Sequence, residues 1–247
     1  MALKANDFEV GPAGTSVTVA NSDDTGEAAL SLVSAGSGGT ITYQTLDAFV
    51  GTFCAQFVQP TAANQPVCVQ MSDGTGASSF ACRIYLRLTA YPSAEISLPF
   101  QVRSTTDTHI CNLAMSTGGL MRIKNGAGTT FASGTSAIPL NSWQRIEYWA
   151  SGLNGTGTHT AAFYDGHSTS AVEQISSAVV TTTGLTDRIR YGRMGTATLA
   201  TWKLDGLAQN IGSSTAVGPA SVGSDLVRRS AAWVAYTPNV RRSGAWV

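Results

Sequence analysis

The chain has 247 residues, 43% of them hydrophobic and only 12% charged, and its fifteen basic and fifteen acidic side chains cancel to zero. That length suits one large domain with an appendage, while a net charge of zero removes the long-range pull that nucleic acid or an anionic membrane would exert. No apolar stretch reaches membrane-spanning length. The opening Met1-Ala-Leu-Lys-Ala-Asn-Asp lacks the basic-then-apolar run of a secretion signal, so synthesis in a cytoplasm is expected.

In chain order, nearly every apolar run has the two-residue period of a half-buried strand. The spacing predicts strands over 28–33, 40–44, 52–59, 80–88, 95–103, 109–115 and 119–124. Beyond them it predicts strands over 143–149, 158–164, 188–193 and 200–208. In 80–88 the apolar set is Phe80, Cys82, Ile84, Leu86 and Leu88, with Arg83, Tyr85 and Arg87 between. Next come Ile96, Leu98, Phe100 and Val102 on one side, with Gln101 and Arg103 on the other. Pro99 has no N–H to donate, which predicts an edge or a bulge. Asp73-Gly74, Asn125-Gly126, Asn154-Gly155 and Asp165-Gly166 supply turns. No helical period of any length is present. Many short strands without alternating helices mean an all-β fold, a two-sheet antiparallel sandwich or a barrel.

Four cysteines, Cys54, Cys68, Cys82 and Cys111, stand without a Cys-x-x-Cys pair and read as buried free thiols. Of the five glutamates only Glu9, with Asp7, and Glu27, with Asp23, have a second acid two or four residues away, and neither pair lies in a predicted strand, so the carboxylate pair of a glycosidase is missing and no catalytic residue is assigned. His109, His159 and His167 read as turn or surface residues, and no cofactor is expected. Asp23 and Asp24 form the best local cluster for a calcium ion, against the plainer reading as a solvated turn. Of the tryptophans, Trp202 shares a face with Leu204 and reads as core, as does Trp143 at the head of its strand. Trp149 shares a face with Arg145 and Glu147 and is the candidate for an exposed, ligand-facing ring.

Near Ile211 the pattern changes. Residues 1–212 read as the sandwich, 213–226 as a Gly/Ser/Ala linker with no core to contribute, and 227–247 as a duplicated tail. Val227-Arg228-Arg229-Ser230-Ala231-Ala232-Trp233-Val234 returns as Val240-Arg241-Arg242-Ser243-Gly244-Ala245-Trp246-Val247. An ordered, partner-bound tail is expected, since disordered segments are poor in Trp and Val. Arg228, Arg229, Trp233, Arg241, Arg242 and Trp246 are its assembly candidates. If the two copies fold on each other as a hairpin, Val227 faces Val247, Trp233 faces Arg241 and Arg228 faces Trp246; the rival is two separately docked strands.

The segment from Phe8 to about Gly212 resembles the concanavalin A-like, or laminin-G-like, jelly-roll domains. The likeness rests on Phe8-Glu9-Val10-Gly11, on Trp143-Gln144-Arg145-Ile146-Glu147-Tyr148, and on Arg190-Tyr191-Gly192-Arg193 leading into Trp202-Lys203-Leu204-Asp205-Gly206-Leu207-Ala208. The paired tail segments resemble the C-termini of minor tail and other virion proteins of phages that infect actinobacteria. Together the resemblances imply a two-sheet jelly roll with a short extended C-terminal tail, in a non-catalytic structural protein of a bacteriophage virion. A minor tail or tail-tip role follows, with a lectin-like domain for host-surface glycans. Expected partners are other virion proteins through the tail, further copies of the chain and a host glycan, with neither nucleic acid nor membrane insertion. A capsid decoration protein, a free lectin and a glycoside hydrolase are the competing readings.

Overall fold

A computed structural model describes residues 3–22, 28–59, 65–195 and 201–220, and the backbone of two strands at 226–229 and 232–235. Fifteen strands build two antiparallel sheets, and the described residues contain no α-helix, only a short 3-10 turn at Val19–Asn21. The eight-stranded sheet holds β1 (Lys4–Asn6), β3 (Thr40–Gln44), β4 (Cys54–Val58), β6 (Phe80–Leu88), β11 (Trp143–Ala150), β12 (Thr156–Asp165), β13 (Glu173–Thr181) and β15 (Thr201–Ile211). Its order is β13-β12-β11-β6-β15-β4-β3, and β1 also pairs with β15. The seven-stranded sheet holds β2 (Leu32–Ser34), β5 (Val67–Ala77), β7 (Ile96–Ser104), β8 (His109–Met115), β9 (Met121–Asn125), β10 (Thr130–Ser133) and β14 (Thr186–Arg193). Its order is β10-β9-β8-β7-β14-β5-β2. The chain is therefore a jelly-roll β-sandwich.

Alternation along each strand sends one set of side chains into a single core between the sheets. Phe57, Phe80, Ile84, Leu86, Ile146, Phe163 and Trp202 enter it from one sheet, and Val69, Phe100, Val102, Leu113, Ile123 and Tyr191 from the other. Trp202 is fully buried and stacks on Phe57, with ring centroids 5.5 Å apart. All four cysteines are free and buried. Burial pushes the Cys54 and Cys111 thiols up to about 12 and Cys68 up to about 11, which keeps them protonated and unreactive.

Several sequence expectations change once the chain is folded. At Pro99, where an edge or a bulge was expected, it is the bulge that holds: Pro99 lies in β7 between β8 and β14, and the register against β8 slips between Ser97 and Phe100. Asp73-Gly74 does not end a strand. Thr186 pairs with Ala77 but Arg188 with Ser72, so residues between bulge out of β5, with Gly74 at φ 74°. His159 is a core residue, bonded through Nδ1 to the Tyr148 hydroxyl at 2.7 Å, because β12 begins at Thr156 and turns position 159 inward. Trp143 is half-buried outside the core, where its Nε1–H donates to the Asp47 carbonyl at 2.8 Å.

The stretch read as a linker lies against the eight-stranded sheet through Gly218 and Ala220. Beyond it, β16 (Leu226–Arg229) pairs with β17 (Ala232–Ala235) in a two-stranded sheet. Arg228 is opposite Trp233 and Val227 opposite Val234, so the two halves of the first copy pair with each other. The span is physically short: a two-residue connection suffices for a hairpin, whereas pairing the copies needs a longer loop. Arg241, Arg242 and Trp246, like Asp23 and Asp24, lie outside the described residues.

Candidate functional site

The outer face of the seven-stranded sheet carries a ladder of polar side chains. Strand register places Gln70 of β5 beside Arg190 of β14, Arg190 beside Gln101 of β7, Gln101 beside Asn112 of β8, and Asn112 beside Lys124 of β9. Their chain neighbours Val69, Ile189, Phe100, Cys111 and Ile123 point into the core, so alternation alone sends all five outward. Five strands at the usual spacing give a row roughly 19 Å long. A second row pairs Ser72 with Arg188, Arg188 with Arg103, and Arg103 with His109.

These groups hold each other in place. Arg190 donates through Nη2 to both carboxylate oxygens of Asp107 at 2.9 Å and through Nε to Gln70 Oε1 at 3.0 Å. Arg103 donates through Nε to Asp107 Oδ1 at 2.8 Å and through Nη1 to Gln101 Oε1 at 2.6 Å. Asp107 sits in the turn between β7 and β8 at φ 62°, a left-handed conformation that Asp tolerates and that folds its carboxylate back over the sheet. Burial alone would raise its pKa, but Arg103 and Arg190 outweigh that and hold it below the usual carboxylate range. Glu95 is likewise held down by Lys124 and Arg122 against the upward push of burial, and it pairs with both cations. Five cationic side chains thus meet three carboxylates, Asp107, Asp187 and Glu95.

A cavity of about 300 Å³ opens at one end of the ladder, lined by Glu95, Ser97, His109, Asn112, Lys124 and the Gly126–Gly128 turn. His109 Nε2 and Arg122 Nε, both buried atoms, have no hydrogen-bond partner. Burial, with Arg103 adding to it, keeps His109 neutral by lowering its pKa. A second cleft, about 560 Å³, lies about the β7–β8 turn among Ser104, Thr105, Thr106, Thr108 and Thr183. Planar amides, guanidinium groups and hydroxyls in this density suit a polyhydroxylated ligand, and the excess of cations suits one bearing carboxylates. None of the five ladder residues is aromatic, so recognition here goes through hydrogen bonds rather than ring stacking.

The sequence singled out Trp149 instead. Trp149 is half-buried on the outer face of the other sheet, paired in register with Ala81 and Thr160 and on the same side as Arg145 and Glu147. It is remote from the ladder by the thickness of the sandwich. The ladder's residues are scattered over five strands, and the signal for them is only the polar member of each alternating pair.

No family model and no curated protein matches the sequence. Solved structures share the fold. The cellulose-induced protein Cip1 is similar with a TM-score of 0.59 at 14% identity, over 87% of this chain and 99% of that one. A protein of unknown function from Shewanella oneidensis MR-1 is similar with a TM-score of 0.57 at 13% identity, over 84% of each chain. At such identities the likeness is one of architecture.

Proposed function

We propose that this chain is a structural virion protein of a bacteriophage whose jelly roll binds an acidic host-surface glycan. The observation that carries the glycan reading is the Gln70–Arg190–Gln101–Asn112–Lys124 ladder, with the Arg190 guanidinium already oriented by Asp107. Preorganised donors bind at lower entropic cost than free ones. The virion reading is supported by the duplicated Val-Arg-Arg-Ser-[Ala/Gly]-Ala-Trp-Val tail, which would dock on neighbouring virion proteins and leave the sandwich facing outward. A minor tail or tail-tip position fits that arrangement. Binding without turnover is expected, because Asp107 and Glu95 are each tied to two cations and Asp187 to Arg188.

Mass spectrometry of purified particles, with antibody labelling by microscopy, tests the virion half: the chain is expected in the particle and at its tail. Absence from particles would favour a free lectin, and labelling of the head a decoration protein. Incubation with acidic cell-wall polysaccharide tests the other half: retention without new reducing ends is expected. Reducing ends that vanish when Asp107 or Glu95 is substituted would overturn the non-catalytic assignment.

A further inference from the structure

The outer face of the eight-stranded sheet carries a second, covered polar cluster. Arg83 and Tyr85 of β6 and Arg145 and Glu147 of β11 are all buried, although alternation points them away from the core. Arg145 lies over the Tyr164 ring, 3.9 Å from its centroid, and donates through Nε to Glu147 Oε1 at 2.7 Å. Tyr85 bonds His167 Nδ1 at 2.9 Å. What covers them is the segment after β15. Gly218 N–H donates to Glu147 Oε2 at 3.0 Å, Arg83 Nη1 donates to the Gly218 carbonyl at 3.0 Å, and Ala220 N–H donates to the Tyr85 hydroxyl at 2.9 Å.

That strap contributes only backbone to the contact. Its side chains are those of Gly218, Pro219 and Ala220, while the floor beneath it is charged. Arg145 Nη1, on a residue only 1% exposed, has no hydrogen-bond partner under it. A permanent interface would be cheaper with an apolar floor, since buried charges are costly unless fully paired. Arg83 and Arg145 stand on adjacent strands at diagonal positions, within reach of one bridging group. Glu147 beside them accepts a donor, a role Gly218 N–H now fills.

The geometry points to a second ligand site here, for a saccharide bearing a carboxylate, which the strap at 218–220 occupies until the sugar displaces it. The carboxylate would bridge Arg83 and Arg145, a ring hydroxyl would donate to Glu147, and the sugar would lie beside Tyr164. This inference stands apart from the ladder on the opposite sheet. Hydrogen exchange on the full-length chain, titrated with sodium glucuronate and with glucose, tests it. Glucuronate should raise exchange at Gly218 and Ala220, and glucose should not. Gly218→Val, which forces a β-branched residue into φ 82° in open space, should loosen the strap and tighten glucuronate binding about tenfold, by raising the open fraction. Arg145→Lys keeps the charge but not the bidentate geometry, and should weaken binding by about tenfold. Arg190→Ala on the other face should leave the response unchanged. Unaltered exchange at saturating glucuronate, or binding indifferent to both Gly218→Val and Arg145→Lys, would overturn the proposal.

Discussion

Single residues carry the sharpest consequences. His159 is sealed in the core, and burial pushes its pKa down to about 4. A histidine whose folded pKa lies below its unfolded value of about 6.5 contributes stability that is complete above that value. The contribution is lost as the pH falls from there towards the folded value. The gap corresponds to about 3 kcal/mol. Urea unfolding at pH 7 and pH 4.5 should therefore show a fall in stability that is smaller in His159→Gln, although carboxylates contribute to both. Equal falls in the two proteins would show that His159 does not carry it. Trp202→Ala removes a fully buried ring stacked on Phe57 and should cost about 3–5 kcal/mol, read by the same unfolding curves. His159 shares a face with Ala161 and Phe163 inside the strand predicted over 158–164, and only its polar character argued for a turn or surface position. Trp202 was placed correctly because Leu204 and Leu207 follow it in the same buried strand.

At the level of elements, strands over 40–44 and 80–88 were legible to the residue because their apolar alternation is unbroken, and 109–115 was legible through Cys111, Leu113 and Met115 although Ile110 breaks the pattern at a bulge. β13 was not. Against β12 its register jumps from Val180 opposite Gly157 to Ser177 opposite His159, so Ile175 and Val180 both point inward at an odd spacing. A bulge reverses parity, and parity is all a sequence pattern reads. β5 was hidden because Asp73-Gly74 looks like the end of a strand, and with it went Gln70, the first member of the ladder. Gln101 and Arg103 were visibly on the polar side of β7, but neither the register nor the turn that swings Asp107 over them follows from pattern. Gly126 marks the turn that closes the cavity. A Cβ there would run into the His109 carbonyl oxygen, which is backbone and has no room to yield. Gly126→Ala should separate the β9–β10 turn from β8 and raise amide exchange at Gly126, whose N–H donates to the Ile110 carbonyl at 2.7 Å. Unchanged exchange there would mean that the turn adapts by other means.

The whole molecule combines a polar ladder on one face, most of it packed among its own side chains, with a strap on the other face and a duplicated tail. The tail is expected to fix the chain in a particle, leaving the ladder free. Deleting residues 225 to 247 should leave thermal unfolding of the sandwich unchanged and abolish incorporation into virions. Normal incorporation of that deletion, or of the Trp233→Ala, Trp246→Ala double variant, would show that the tail is not the anchor. The all-β class and the duplication were readable because both are repeating patterns. A ligand surface assembled from β5, β14, β7, β8 and β9 was not, because those strands are neighbours in space and strangers in sequence.

The central claim is that this surface binds an acidic glycan through its arginines. Isothermal titration of the full chain with polygalacturonate tests it most directly, comparing the wild type with Arg190→Ala at low and high salt. Arg190 is held in place by Asp107 and Gln70, and a hydrogen bond from such a cation to a ligand is worth about 1.5–3 kcal/mol, so the loss of one is about tenfold or more in affinity. Affinity should also fall as salt screens the cations. Equal affinity in the two proteins, or equal affinity for a neutral glucan, would contradict the account.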